Sequence, residues 1–293
     1  MFDELAIVVI RGIGLGAIFA LIAMSMNVVY GATHILNFAQ GNMFVLGGFV
    51  AVAATPAGQN LSLWLVLVPV AALVLALVVA LQGWITLIPL RHSVEQNSWL
   101  ITTMAVSIMI SATLLLVQGP WAATARSPIP PLTMFGVRTP GPYLALMALA
   151  IFWFFALRWF LQRTLVGLAV SALSQDLEAA RAAGLKVRQL QLLAFAISGL
   201  VVGSAGFVAA PLMSISADTG IRYVLNGFVA AVIGGMGSNV GAMVGGALVG
   251  VVSMLAIYFV GGEYQGLVSL LLLVGMLLIR PEGLFGQASA RRV

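Results

Sequence analysis

Hydrophobic residues in this chain form long, predominantly apolar runs rather than an alternation with polar residues. Four clear examples are Leu63–Leu81, Trp99–Val117, Leu192–Met213 and Val240–Val260. Each approaches the ~20 residues that an α-helix needs to cross ~30 Å of hydrocarbon. A transmembrane β-barrel would instead show alternating segments of roughly ten residues, and the sequence contains none. The pattern therefore predicts an all-α, polytopic membrane protein.

The same pattern predicts about nine membrane segments, two of them short. They form a single transmembrane domain over residues 1–293, with an N-terminal half at 1–161, a charged loop at 162–190 and a C-terminal half at 191–293. The predicted segments are Ile13–Tyr30, Met43–Ala54, Leu63–Leu81, Trp99–Val117, Tyr143–Leu161, Leu192–Met213, Val224–Gly235, Val240–Val260 and Leu267–Ile279.

The two short segments, Met43–Ala54 and Val224–Gly235, occupy matching places in the two halves. A helix of twelve residues rises only ~18 Å, and each short segment follows a full span and a polar, glycine-bearing break. The preceding spans are expected to run in opposite directions. This arrangement predicts an inverted repeat with broken or re-entrant helices, which in transporters mark the translocation path.

Polar side chains at membrane depth are the candidates for that path. They flank the first break, lie in the fourth segment, or open the second short helix. These substrate-path candidates are Asn37, Gln40, Asn42, Thr102, Thr103, Ser107 and Asn226. The alternative is that they bond to nearby carbonyls or join helices. No ionisable pair is expected at mid-membrane, which argues against a proton or sodium relay.

Composition and charge fit a membrane protein and indicate its orientation. Hydrophobic residues make up 62% of the chain and charged residues 7%, against about 25% charged residues in soluble domains. The net charge of +5 comes from cations beside span ends, not from a basic stripe that would bind nucleic acid. Placing Arg91, the segment Arg158–Arg188 and the C-terminal tail inside puts nine of the thirteen Lys/Arg residues there. The positive-inside rule then predicts an external N-terminus.

The glycine-rich stretch from Gly234 to Gly250 does not match a nucleotide-binding loop. A P-loop requires G-x-x-x-x-G-K-[ST], and the one lysine of the sequence is Lys186. Gly237, Gly241 and Gly245 are instead expected to form a smooth helix face for close packing. His34 and His92 stand without a metal-binding pattern. We expect no cofactor on this chain, and any ATP to be bound by partner subunits.

One charged segment, Arg158–Arg188, interrupts the apolar sequence. Asp176 is placed to cap a short helix, with Glu178 in the first turn and Arg181 near the end. Gly184 is placed to stop it. Such a helix fits a groove on a soluble partner, or it is an ordinary solvated loop.

Several stretches together resemble the permease subunits of binding-protein-dependent ABC importers for branched-chain amino acids and related small polar solutes. The resemblance rests on four regions in order. They are Gly16–Gly31 followed by Ile35-Leu-Asn-Phe-Ala-Gln-Gly41, Ala172–Leu185, Ala230–Ser238 with Gly241-Ala, and Arg280-Pro-Glu-Gly-Leu-Phe-Gly286. Two departures are Ser171-Ala172, where many relatives carry a basic residue, and Gln40, where histidine is common.

The resemblance implies a multi-pass protein of the bacterial inner membrane. Its partners would be a second homologous permease, two cytoplasmic ATPases and a periplasmic or extracellular solute-binding protein, which meets the Gln118–Pro142 loop and Arg222. The implied ATPase-coupling residues are Gln175, Asp176, Glu178, Ala179, Arg181 and Gly184. The expected mechanism is alternating access. The rival hypothesis is a self-contained carrier or channel, and the solute stays open.

Overall fold

The computed structural model describes residues 2–54, 60–88, 98–134 and 137–286. In this part of the chain eleven α-helices are joined by short connections, with one two-stranded hairpin. The helices are α1 Phe2–Thr33, α2 Gln40–Ala53, α3 Leu61–Leu87, α4 Ser98–Gln118, α5 Gly141–Arg163, α6 Leu165–Gln175, α7 Leu177–Ala182, α8 Val187–Ala209, α9 Thr219–Gly234, α10 Asn239–Phe259 and α11 Gln265–Ile279. The strands are β1 Leu132–Met134 and β2 Val137–Thr139.

The helices confirm the predicted membrane segments. Seven helices of the described residues are long and apolar enough to cross a membrane. The two short helices, α2 and α9, lie where the sequence predicts them, with 14 and 16 residues. The chain is therefore a polytopic helical membrane protein.

The packing has the symmetry that the predicted inverted repeat requires. Gln191 on α8 donates to the carbonyl of Ala32 on α1, and Gln40 reaches both Ser25 and Ser198. Residues late in α1 therefore lie beside residues early in α8, so the two helices are antiparallel. An inverted repeat would relate α1, α2 and α3 to α8, α9 and α10, respectively. Under this relation the most extensive helix interface, between α1 and α10, corresponds to the next most extensive one, between α8 and α3.

Glycines set the close approach of the helices at these interfaces. A Cβ at Gly16 would lie 2.6 Å from the carbonyl oxygen of Gly246, between α1 and α10. In the related interface, a Cβ at Gly199 would lie 2.6 Å from the carbonyl oxygen of Leu75, between α8 and α3. Small residues let backbones approach in a membrane, where dispersion contacts between helices replace the hydrophobic effect.

The helix bundle has two distinct ends. The end that holds α6, α7 and the C-terminal segment 280–286 is called the inner end. The end that holds the start of α1 and residues 119–140 is called the outer end. Ser174 of α6 and Phe285 line one cavity, so the charged segment and the C-terminal segment share an end, as the charge pattern predicts. Arg91 and the tail at 287–293 lie outside the described residues.

The structure corrects two details of the sequence interpretation. Residues 162–190 are largely helical rather than a loop, because the Thr164 side chain caps α6 by accepting from the Gly167 N–H at 2.9 Å. Gly237 does not extend the glycine face of α10. It lies before that helix with φ of +84°, and a Cβ there would meet nothing within 4 Å. Gly241 and Gly245 do pack closely, against α9.

Candidate functional site

The two short helices meet at their N-terminal ends near the middle of the bundle. His34 adopts a left-handed φ of 56° at the end of α1, which turns the chain back before α2 begins. A Cβ at Gly41 on α2 would overlap the carbonyl oxygen of Gly220 on α9. Because the N-terminus of a helix carries partial positive charge, both positive ends face this crossing.

Buried amides hold the first break in place. Gln82 of α3 and Asn37 exchange two hydrogen bonds of 2.9 and 3.1 Å. Gln40 donates to Ser25 at 3.0 Å and also to Ser198, joining α1 and α8. Asn37 and Gln40 are essentially inaccessible to solvent. In this conformation both predicted path residues therefore fasten the broken segment, with their polar atoms turned to protein partners.

Replacing Gln82 with methionine should destabilise the fold. The change keeps the side-chain length but removes both hydrogen bonds between Gln82 and the buried Asn37 amide, which costs about 1–3 kcal/mol. The thermal unfolding midpoint of the purified protein is expected to fall by several degrees. Gln162→Met, at an exposed position, is the control and should leave the midpoint unchanged; equal midpoints in the two variants would contradict the role of the network.

A second polar contact joins α2 to α4. The Asn42 side-chain nitrogen donates to the Ser107 hydroxyl at 2.8 Å and to the Ser107 carbonyl. The Asn42 side-chain oxygen has no partner among the described residues, and it lies against Gly220 at the helix crossing. These two predicted path residues are thus brought together at the crossing itself.

The remaining predicted residues of α4 lie apart from that contact. Thr103 is buried and its hydroxyl lies 3.3 Å from the Leu100 carbonyl and 3.5 Å from the Leu36 carbonyl. Thr102 is half-buried. The Thr103 hydroxyl therefore bonds to a carbonyl of its own helix and to one in the first break. This is the structural role that the alternative to a substrate-path role describes.

Asn226 alone among the predicted path residues lines an open cavity toward the outer end. This outer cavity has a volume of about 460 Å³. The Asn226 side chain donates to the Arg222 carbonyl at 3.0 Å. The cavity is lined by α1, the start of α5, residues 212–216, α9, the end of α10 and Gln265.

The outer cavity is closed toward the inner end by direct contact between α1 and α9. A Cβ at Gly227 would overlap the side chain of Ile22. Above this contact, the ring of Tyr223 lies 6.3 Å from that of Phe19 and 5.2 Å from that of Phe44. The described conformation is therefore open outward and sealed at mid-depth within the chain.

The connection before α9 is held by polar contacts and by the outer loop. The Ser216 hydroxyl donates to the Asp218 carboxylate at 2.5 Å, and this hydrogen bond is the main reason that the Asp218 pKa lies below its usual value. Arg222 lowers that pKa further. Ala123 and Ile215 exchange backbone hydrogen bonds of 2.9 and 2.8 Å, so residues 119–140 are tied to the wall of the outer cavity.

The predicted coupling helix is present at the inner end. The Asp176 side chain accepts from the N–H groups of Glu178 and Ala179, both at 2.9 Å, and so caps α7. Gly184 ends the turn with φ of +81°. Ala180 packs in a small cluster with Leu173 and Val187. All six predicted coupling residues are exposed, three on α7 and three directly beside it: Gln175, Asp176, Glu178, Ala179, Arg181 and Gly184.

A second cavity, of about 400 Å³, lies between the end of α1, α6 and residues 236–239, which follow α9. The C-terminal segment forms part of its wall. Leu284 and Phe285 donate backbone hydrogen bonds to the carbonyls of Ile233 and Gly234, at 2.8 and 2.9 Å. The segment therefore caps the end of α9 and links it to the helices that carry the coupling surface.

Residues 8–277 match the family model described as the permease component of branched-chain amino acid transport systems. The chain belongs to this family. It is a transmembrane permease subunit of an ABC importer, which agrees with the resemblance drawn from the sequence motifs. No solved structure matches the permease at a significant level.

Curated relatives cover almost the whole permease. It is 28% identical, over 97% of its length, to the high-affinity branched-chain amino acid transport system permease proteins LivH of Escherichia coli strain K12 and BraD of Pseudomonas aeruginosa, spanning 96% of each. It is also 26% identical, over 91% of its length, to the permease protein LivM of Escherichia coli strain K12, spanning 67% of that protein.

Sequence reasoning missed several residues of the site. Gln82 and Ser198 hold the first break, and Tyr143, Ser216 and Thr219 line or brace the outer cavity. The sequence offers one usable signal for Gln82, an amide inside an otherwise apolar span. Tyr143, Ser216 and Thr219 occur at or beside helix ends, where polar residues are common for structural reasons. Ser198 lies in the middle of α8, where a lone serine commonly bonds to its own helix.

Proposed function

We propose that this permease carries branched-chain amino acids into the cytoplasm of a bacterium by alternating access, within an importer of the inner membrane. A second homologous permease, two cytoplasmic ATPases and a solute-binding protein complete the assembly. The full-length similarity to LivH and BraD, whose names state branched-chain amino acid transport, carries the proposal for the solute. The similarity to LivM, a second permease protein of Escherichia coli, supports a homologous partner.

The proposal that an ATPase docks on this permease is supported by the exposed surface of α7. Asp176 caps the N-terminus of this helix, and its charged side chains are exposed. α7 is joined almost directly to α8, and α6 packs against α1, α5 and α8. A partner that moves α7 would therefore act on α8 directly and on α1 and α5 through α6.

The chain is proposed to have no nucleotide site of its own. Its sequence has no P-loop pattern, so the free energy for transport would come from the ATPases. Differential contacts of those subunits in their nucleotide states would shift the permease between conformations. No cofactor is proposed.

Purification of the tagged permease from its native membrane tests the assembly. We expect ATPase subunits and a second permease to co-purify, and the reconstituted assembly to take up leucine only with ATP and the binding protein present. The same preparation without ATP is the control. A permease that purifies alone and transports leucine down its gradient would show that the proposal is wrong and favour a self-contained carrier.

A further inference from the structure

We propose that the outer cavity is a solute-binding site in which Arg222 binds the carboxylate of the transported solute. This inference rests on the proposed function, because it assigns a place to the solute inside the permease. It names a residue and a chemical group that the family assignment does not supply.

The outer cavity is lined by both polar and apolar side chains. Ser216, Thr219 and Arg222 lie close together in sequence at the start of α9 and line it. Apolar side chains from α1 and α10 also line it, namely Leu15, Phe19, Met254 and Ile257. A small molecule with one anionic end and one branched apolar end matches this mixed lining, since ligand sites combine apolar surface with a few polar groups that fix orientation.

Arg222 is available to bind an anion. Among the described residues, no carboxylate lies within ion-pairing distance of its guanidinium, and the nearby Asp218 carboxylate already accepts from Ser216. Arg222 is exposed in the first turn of α9. A guanidinium binds a carboxylate with two parallel hydrogen bonds, and this geometry gives both affinity and orientation.

The position of the cavity fits a site on the route of the solute. It opens toward the outer end, and the contact between Ile22 and Gly227 seals it below. The outer loop is hydrogen-bonded to Ile215, which lies between the lining residues Ser214 and Ser216. A solute released at the outer end would reach Arg222 before it meets the closed contact between α1 and α9.

Cysteine labelling tests the site directly, because the chain contains no cysteine. Ser214→Cys places a thiol in the cavity wall, and Trp121→Cys places one in the exposed outer loop. In the assembled importer, a sulfonate-bearing methanethiosulfonate should label Ser214→Cys about tenfold faster than a trimethylammonium-bearing one, after normalisation to Trp121→Cys. Adding Arg222→Gln should remove this preference, and Arg222→Lys should retain it. Equal rates with both reagents would overturn the proposal.

Protection by ligands identifies the group that Arg222 binds. L-leucine at saturating concentration should slow labelling of Ser214→Cys, and leucinamide, which lacks the carboxylate, should not. Arg222→Gln should abolish protection and lower leucine uptake at least tenfold, while Arg158→Gln, at an exposed position of α5 toward the inner end, should not. Equal protection by leucine and leucinamide would overturn the role of Arg222.

The two proposals fail in different ways. If the native importer does not transport leucine, the proposed solute is wrong, and the charge preference at Ser214→Cys still reports on Arg222. If the native importer transports leucine and Arg222→Gln does so equally well, the proposed function stands and the site is wrong.

Discussion

Substitution of Gly41 by leucine is expected to prevent the permease from folding into its native bundle. A Cβ at this position would overlap the carbonyl oxygen of Gly220 and lie 2.7 Å from the Cβ of Val224. Both obstacles belong to α9 and neither is the flexible end of a side chain, so relief requires moving a whole helix. Overpacking typically costs about 1–3 kcal/mol, and a backbone obstacle puts this site at the upper limit or beyond.

The experiment compares Gly41→Leu with Gly275→Leu. Gly275 lies in α11, where an added Cβ would meet nothing within 4 Å. We expect Gly41→Leu to be lost during detergent extraction, or to unfold roughly 10 °C below the native protein. Gly275→Leu should extract and unfold normally. Similar unfolding midpoints for the two variants would show that α2 and α9 do not cross at these glycines.

Reversal of the charge at Glu178 should uncouple transport from ATP hydrolysis. Glu178 is exposed in the first turn of α7, and its side chain is not needed to hold the helix, which Asp176 caps. An arginine there would place a cation at the N-terminus of α7, where positive charge is unfavourable. It would also reverse the charge that this surface presents to the ATPase. We expect solute-stimulated ATPase activity of the assembled importer to be abolished while membrane insertion is unchanged.

Glu263→Arg is the matched control for this prediction. It makes the same charge reversal at an exposed site toward the outer end. Stimulated ATPase activity should survive it. Full coupling in Glu178→Arg would remove the proposed role of α7, and co-purification of the ATPase with each variant separates loss of docking from loss of signal transmission.

The positions of the membrane helices could be predicted from the sequence because each depends on local information. An apolar run longer than about 17 residues has few alternatives to a membrane helix, and α3 and α10 follow that rule. The cap of α7 could also be predicted, since Asp176 and the backbone groups it binds are two and three residues apart. The distribution of arginines correctly placed the charged segment and the C-terminal segment at one end.

Other features could not be predicted, because they depend on contacts between residues far apart in the chain. Asn37 and Gln40 were selected as path residues for their polarity, yet a partner 45 residues away in sequence, Gln82, turns Asn37 into a structural amide. The periodic pattern of polar and apolar residues does not show which two side-chain amides will be in contact in the folded chain. The assignment of Gly237 to a helix face was wrong because α10 begins only after Ser238, whose side chain caps its N-terminus.

The sequence by itself determined that this chain lies in a membrane, where along the chain its membrane helices lie, and which segment projects from it in polar form. Only the tertiary structure decided that the two short helices cross at Gly41 and Gly220, and that Arg222 lines a cavity together with apolar side chains of α1 and α10. The first set depends on transfer of a continuous segment from water to lipid, which is additive along the chain. The second depends on helix packing between the two halves, which no single segment encodes.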